Sequence, residues 1–120
     1  MQIKEVMSMN REYLITLGID YDDGLNRFVG NKDMYEKFLL SFKDDPSYAQ
    51  MLTAIEAKDA KAAFNAAHSL KGLSGNLSMK KLYERVCVLV EELREGDLSH
   101  VDESLPPVTA AYQELVDGLK

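Results

Sequence analysis

Apolar residues recur at three- and four-residue spacings along nearly the whole chain, and no segment alternates apolar and polar positions for long. An α-helix returns every third or fourth side chain to one face, so the pattern predicts an all-α fold. It places helices near 3–17, 31–44, 47–57, 59–76, 79–95 and 103–118, with a further short helical turn near 22–29. The breaks have local causes. Gly18 can close the first helix, Asp45-Pro46 interrupts the approach to the third, and Gly96-Asp97 ends the fifth. Pro106 and Pro107 fall within about the first turn of the last helix, where the second proline cannot donate a helical hydrogen bond and restricts its predecessor. Connections this short make neighbouring helices antiparallel. The expected architecture is an antiparallel four-helix bundle with an additional N-terminal helical segment alongside, a single domain over 1–120.

One helix carries chemistry. In DAKAAFNAAHSLKGLSGNL, from Asp59 to Leu77, a helical wheel gathers Ala60, Ala63, Ala67, Leu70, Ser74 and Leu77 into a core-facing stripe bordered by Phe64. His68 falls on the other side, near Lys61, Asn65, Gly72 and Gly75, with Lys71 at the margin, and should face solvent. A glycine inside a helix costs roughly 0.8–1.0 kcal/mol relative to alanine, so Gly72 and Gly75 imply some other demand. Gly72, one turn after His68 on the same face, leaves the imidazole uncovered for a partner. Lys71 can swing an ammonium toward an anionic group on the ring. Neutral imidazole offers a lone pair to an electrophile, and phosphoryl transfer in particular needs little beyond alignment and charge neutralisation.

Composition narrows the function classes. The 120 residues are 46% hydrophobic and 28% charged, the balance of a soluble globular domain, and no apolar run approaches the length of about 20 needed to span a bilayer. A net charge of -6 disfavours nucleic acid and anionic membranes as partners. The start MQIKEVMSMNREY lacks a secretory pattern, so a cytoplasmic location is expected. The single cysteine, Cys87, reads as a small core residue. Met34, Met51 and Met79 suit helix packing. No metal site is expected, since DYDDG at Asp20 to Gly24 fails the calcium-loop spacing and reads as a helix-capping turn. Glu84, Glu91 and Glu92 lack the Glu-x-x-His pairs of a carboxylate metal bundle. His100, in GDLSHVDES, reads as a surface histidine.

The run Ala67-His68-Ser69-Leu70-Lys71-Gly72-Leu73-Ser74, continuing to Leu77, resembles the AHxLKGxS...L signature of histidine-containing phosphotransfer domains. GLNRFVGNKDMYEKFLLSF resembles that family's second helix and its approach, and AIEAKDAKAAFNAAH the turn before its histidine helix, so the likeness covers roughly 18–95. The resemblance implies a phosphorelay intermediate. His68 would take a phosphoryl group from a receiver-domain aspartate of a hybrid sensor histidine kinase and pass it to a response-regulator receiver. By the same likeness Lys71 neutralises phosphoryl charge, Gly72 admits the receiver, and Ser74 and Leu77 match packing or helix-end positions, while Lys61, Asn65, Ser69 and Gly75 are expected to form the partner surface around the histidine. No intrinsic cofactor is implied, and Mg2+ belongs only to the partner receiver. The family commonly has glycine after this leucine; Ser78 stands there instead, and serine is a good N-cap for the following helix.

A kinase reading fails on the residues present. There is no G-x-x-x-x-G-K-[ST] loop, and His68 is followed by Ser69 and Leu70 rather than by an acidic residue and proline. Two alternatives stay open: a helical adaptor that docks receivers without phosphotransfer, and a phosphotransfer domain excised from a larger kinase. The chain begins with Met1 and ends shortly after its last helix, which favours a free-standing protein, expected to be a monomer.

Overall fold

Short polar side chains start the helices. In the computed structural model, which describes residues 10–119, Asn10 accepts from the Glu12 and Tyr13 amides and opens α1 (Arg11–Thr16). Asp20 caps α2 (Tyr21–Arg27) through the Asp23 amide, so DYDDG is indeed a capping turn. Asn31 does the same for α3 (Lys32–Ser41), which runs into a 3-10 turn, Phe42–Asp44. α4 (Ser47–Glu56) begins after Pro46, with the Ser47 amide held by Asp45. Asp59 then caps α5 (Ala60–Asn76), followed by α6 (Lys80–Arg94) and α7 (Val101–Gly118). Among the described residues the fold is all-helical.

α4 packs on α5, α5 on α6 and α6 on α7, each after a short reversal, as an antiparallel bundle requires. The core runs through Met51, Ala63, Ala67, Leu70, Leu82, Val86, Leu89, Val108 and Leu115, all at most 2% exposed. Burying each leucine or valine contributes about 1.5–3 kcal/mol, so this seam dominates the favourable side of folding. The α5 stripe is wider than the wheel indicated. Ala66 is buried as well, and Ala60 only half-buried.

α1, α2 and α3 close one end of the bundle, over the α5–α6 turn. The Asp20 amide donates to the Ser78 carbonyl at 2.8 Å and the Lys81 amide to the Gly18 carbonyl at 3.1 Å. The left-handed backbone of Gly18, φ 82°, brings it so near Lys81 that a Cβ there would lie 2.6 Å from the Lys81 Cβ. Arg11 grips the Asp22 carboxylate with two bonds, 3.0 and 2.7 Å, and the Tyr13 hydroxyl donates to the Gly118 carbonyl at 3.0 Å.

Several sequence expectations need correction. The described part of the first helix is Arg11–Thr16, flanked by its caps Asn10 and Leu17, and residues 3–9 of the expected 3–17 segment lie outside the described residues. The last helix starts at Val101, where the His100 carbonyl accepts from the Glu103 and Ser104 amides. Pro106 and Pro107 therefore sit in its second turn. The carbonyls their missing amides would have served belong to Asp102 and Glu103, on the exposed side where water can replace the bond. Met34 is 46% exposed rather than packed, while Met51 and Met79 are fully buried. Cys87 is only half-buried. Ser78 does not cap α6: Met79 holds that position without a side-chain bond, and the Ser78 hydroxyl turns to Asp23 instead. No described helix is long and apolar enough to cross a membrane.

Candidate functional site

Near the middle of α5 the Ala66, Ala67 and Leu70 side chains turn into the core, and the same helical turn sets His68 outward, exposed. The Phe64 ring, one turn earlier, stands beside the imidazole with centroids 5.7 Å apart and planes tilted by 42°. The Arg94 guanidinium lies 5.1 Å from the centroid of Phe64 and is itself held by Glu91 at 3.0 Å. That contact, helped by the nearby charge of Lys71, keeps the Glu91 carboxyl below its ordinary range. A supported aromatic wall thus flanks one side of His68.

The other side is open. A Cβ built on Gly72 would meet nothing within 4 Å. Beyond it runs a cleft of about 480 Å³, into which α5 contributes His68, Lys71, Gly72 and Gly75. Asp23 and Arg27 enter from α2, and Lys80, Tyr83 and Glu84 from α6, with Asn76 and Ser78 at the turn between. Three cationic side chains face two carboxylates there. One of the two, Asp23, is already engaged: it accepts from the Ser78 hydroxyl at 2.5 Å and from Arg27 Nε at 2.9 Å. Those two donors, the hydroxyl first, hold its carboxyl below the usual carboxylate range.

Of the residues singled out in the sequence, His68, Lys71, Gly72 and Gly75 share this cleft, whereas Lys61, Asn65 and Ser69 are exposed on α5 but do not line it. Gly75 has a different task from Gly72. Its hypothetical Cβ would lie 3.1 Å from the Tyr83 ring, so the missing side chain makes room for Tyr83 rather than for a visitor. The contributions of Asp23, Arg27, Lys80, Tyr83 and Glu84 were not read from the sequence, because nothing local connects α2 or α6 to His68. Ser78 carried the one available signal. It has φ 56°, the left-handed region, at the position where the resembled family commonly has glycine.

An accessible imidazole, an ammonium three residues on, an uncovered approach and an open cationic cleft suit exchange of an anionic group with another macromolecule. They do not enclose a small substrate. Among the described residues no three His, Cys, Asp or Glu side chains come together as a metal site. Compared with protein families, residues 33–119 match the one described as Hpt domain. No curated protein and no solved structure gives a match. The matched span contains all of α5, α6 and α7 and leaves out α1 and α2.

Proposed function

Because the chain belongs to the Hpt domain family, whose members perform histidine phosphotransfer in phosphorelays as phosphocarriers rather than kinases, we propose that His68 is its phosphorylated residue. We further propose the direction of flow, from the receiver-domain aspartate of a hybrid sensor kinase to a response-regulator receiver. The observation that carries this reading is the exposed His68 beside the open space over Gly72.

The step balances simply. A ring nitrogen of His68 presents its lone pair in line with the aspartyl P–O bond. As the P–N bond forms, the P–O bond breaks and the aspartate leaves as a carboxylate. Passing the group onward is the same step in reverse on a second receiver. Lys71 offsets charge on the phosphoryl oxygens, and Gly72 lets the receiver's loops reach the ring. Magnesium belongs to the receiver's own carboxylates.

The test is incubation with a panel of phosphorylated receivers. The expected product is an acid-labile, base-tolerant phosphoramidate on the native chain and none on His68→Gln, which keeps polarity but has no nucleophilic ring nitrogen. Equal labelling of His68→Gln overturns the assignment, and receiver binding without label would make the protein an adaptor. ATP and magnesium alone are expected to give no label.

A further inference from the structure

The cleft beside His68 is longer than the chemistry needs. Its far end, at Asn76, lies eight residues beyond His68, about 12 Å along the helix axis at 1.5 Å per residue, and Ser78 follows past the helix end. This far end is the more constructed of the two. Arg27 is held by Asp23, and Asp23 by the hydroxyl of a buried Ser78 in a left-handed backbone that serine adopts at a cost. Glycine would relieve that backbone and lose the hydroxyl.

The guanidinium also lies on a border. Arg27 and Asn76 line both the His68 cleft and an adjoining apolar groove formed by Phe28, Phe38, Leu73 and Leu77. Phe38 is 48% exposed, and its ring sits 5.5 Å from that of Phe28. Asp23 and Arg27 both precede the family match at 33–119, whereas Asn76 and Ser78 at the same end lie within it, so this end of the cleft is built in part by a segment the matched region does not include.

We propose that Arg27, positioned by Asp23 and Ser78, is a specificity residue that reads the docked receiver and takes no part in the chemical step. The partner it fits is a receiver that presents a carboxylate toward Arg27 and an apolar side chain toward the Phe28–Phe38 groove. A held guanidinium suits this role, since its fork is already oriented and little side-chain freedom is lost on binding a carboxylate. The inference rests on the phosphotransfer reading for its partner class, but its readout does not depend on label.

The experiment titrates the unphosphorylated cognate receiver, the one that labels the chain fastest or, without label, the one that binds it most tightly. Titrations use the native protein, Arg27→Ala, Arg27→Lys and Ser78→Gly, and transfer is then measured over a range of receiver concentrations. Arg27→Ala should raise the receiver Kd and the half-saturating concentration roughly three- to tenfold while the saturating transfer rate stays level. Arg27→Lys should recover part of the loss, because charge returns without the fork. Ser78→Gly should weaken binding by a smaller factor with helicity and thermal midpoint unchanged or raised, which a merely structural serine would not do. Unchanged affinity in well-folded Arg27→Ala, a fall in saturating rate alone, or the absence of any receiver binding to the native chain overturns the proposal. Normal binding with an Arg27 effect but no label on His68 leaves this inference standing and sinks the phosphotransfer reading.

Discussion

The Tyr35 hydroxyl donates a buried 2.8 Å hydrogen bond to the Leu77 carbonyl, joining α3 to the C-terminal end of the helix that carries His68. The last carbonyls of a helix have no partner inside it, and this one is satisfied by a phenol 42 residues away in sequence. The Tyr35 ring is fixed by neighbours, with centroids 5.7 Å from Tyr21 and 5.2 Å from Phe28. Tyr35→Phe keeps the ring and strands the carbonyl, a loss of about 1–3 kcal/mol. Urea unfolding should show a lower midpoint with unchanged slope, while His68 labelling of the folded protein stays near normal.

The same phenol makes an alkaline prediction. Burial raises the Tyr35 hydroxyl well above the ordinary phenol range, and burial raises Tyr112 in the same direction. A raised folded value means that the native state holds its proton more tightly than the unfolded chain does. The stabilisation is therefore whole below about pH 10 and is lost as pH rises from there toward the folded value. The Tyr35 share can reach about 1.4 kcal/mol per pH unit. Stability measured from pH 9 to 12 should fall less steeply in Tyr35→Phe than in the native protein, with the residual slope due in part to Tyr112.

Gly24 and Gly72 should respond oppositely to alanine. A Cβ at Gly24 would fall 1.9 Å from the Tyr35 hydroxyl oxygen, inside a packed contact, so the gain in helix propensity is outweighed. We expect Gly24→Ala to lose about 1–3 kcal/mol and to disturb the Tyr35–Leu77 bond. Gly72→Ala meets open space and should gain roughly 0.8–1.0 kcal/mol. Thermal melts of the two variants side by side check the contrast.

Gly72→Glu separates access from stability. The thermal midpoint should stay level or rise, whereas transfer should fall at least about tenfold, because bulk and negative charge then stand one turn from the incoming phosphoryl group. Lys71→Ala leaves the path open and should give the smaller loss. Normal transfer by well-folded Gly72→Glu would mean that receivers approach His68 from another side.

Val29 offers a stabilising change. It is β-branched, has φ 56° and is 93% exposed, so it bears left-handed strain with almost no packing in return. Val29→Asn should raise stability by up to about 1 kcal/mol, read as a higher denaturant midpoint without any change in receiver affinity.

Much of this molecule was legible in one dimension. Helical period is a property of neighbouring residues, so the runs around α3 to α7 declared themselves, and a wheel sufficed to turn His68 outward and to put Gly72 beside it. Openness over Gly72 also followed, because a glycine on an exposed helix face has nothing above it unless another element arrives. Whether one arrives is a tertiary matter. Gly75, read as a companion of Gly72, lies under Tyr83 from α6, and Asp23 and Arg27 reach the cleft from α2 only because α2 folds over the α5–α6 turn. Ser78 shows the limit most sharply. Its position just before the next helix suggested an N-cap, yet the bond from the Asp20 amide to its carbonyl and the Asp23 carboxylate above its hydroxyl secure a left-handed turn instead. Local spacing decides which face a residue occupies; only the long-range packing of helices decides what stands in front of it.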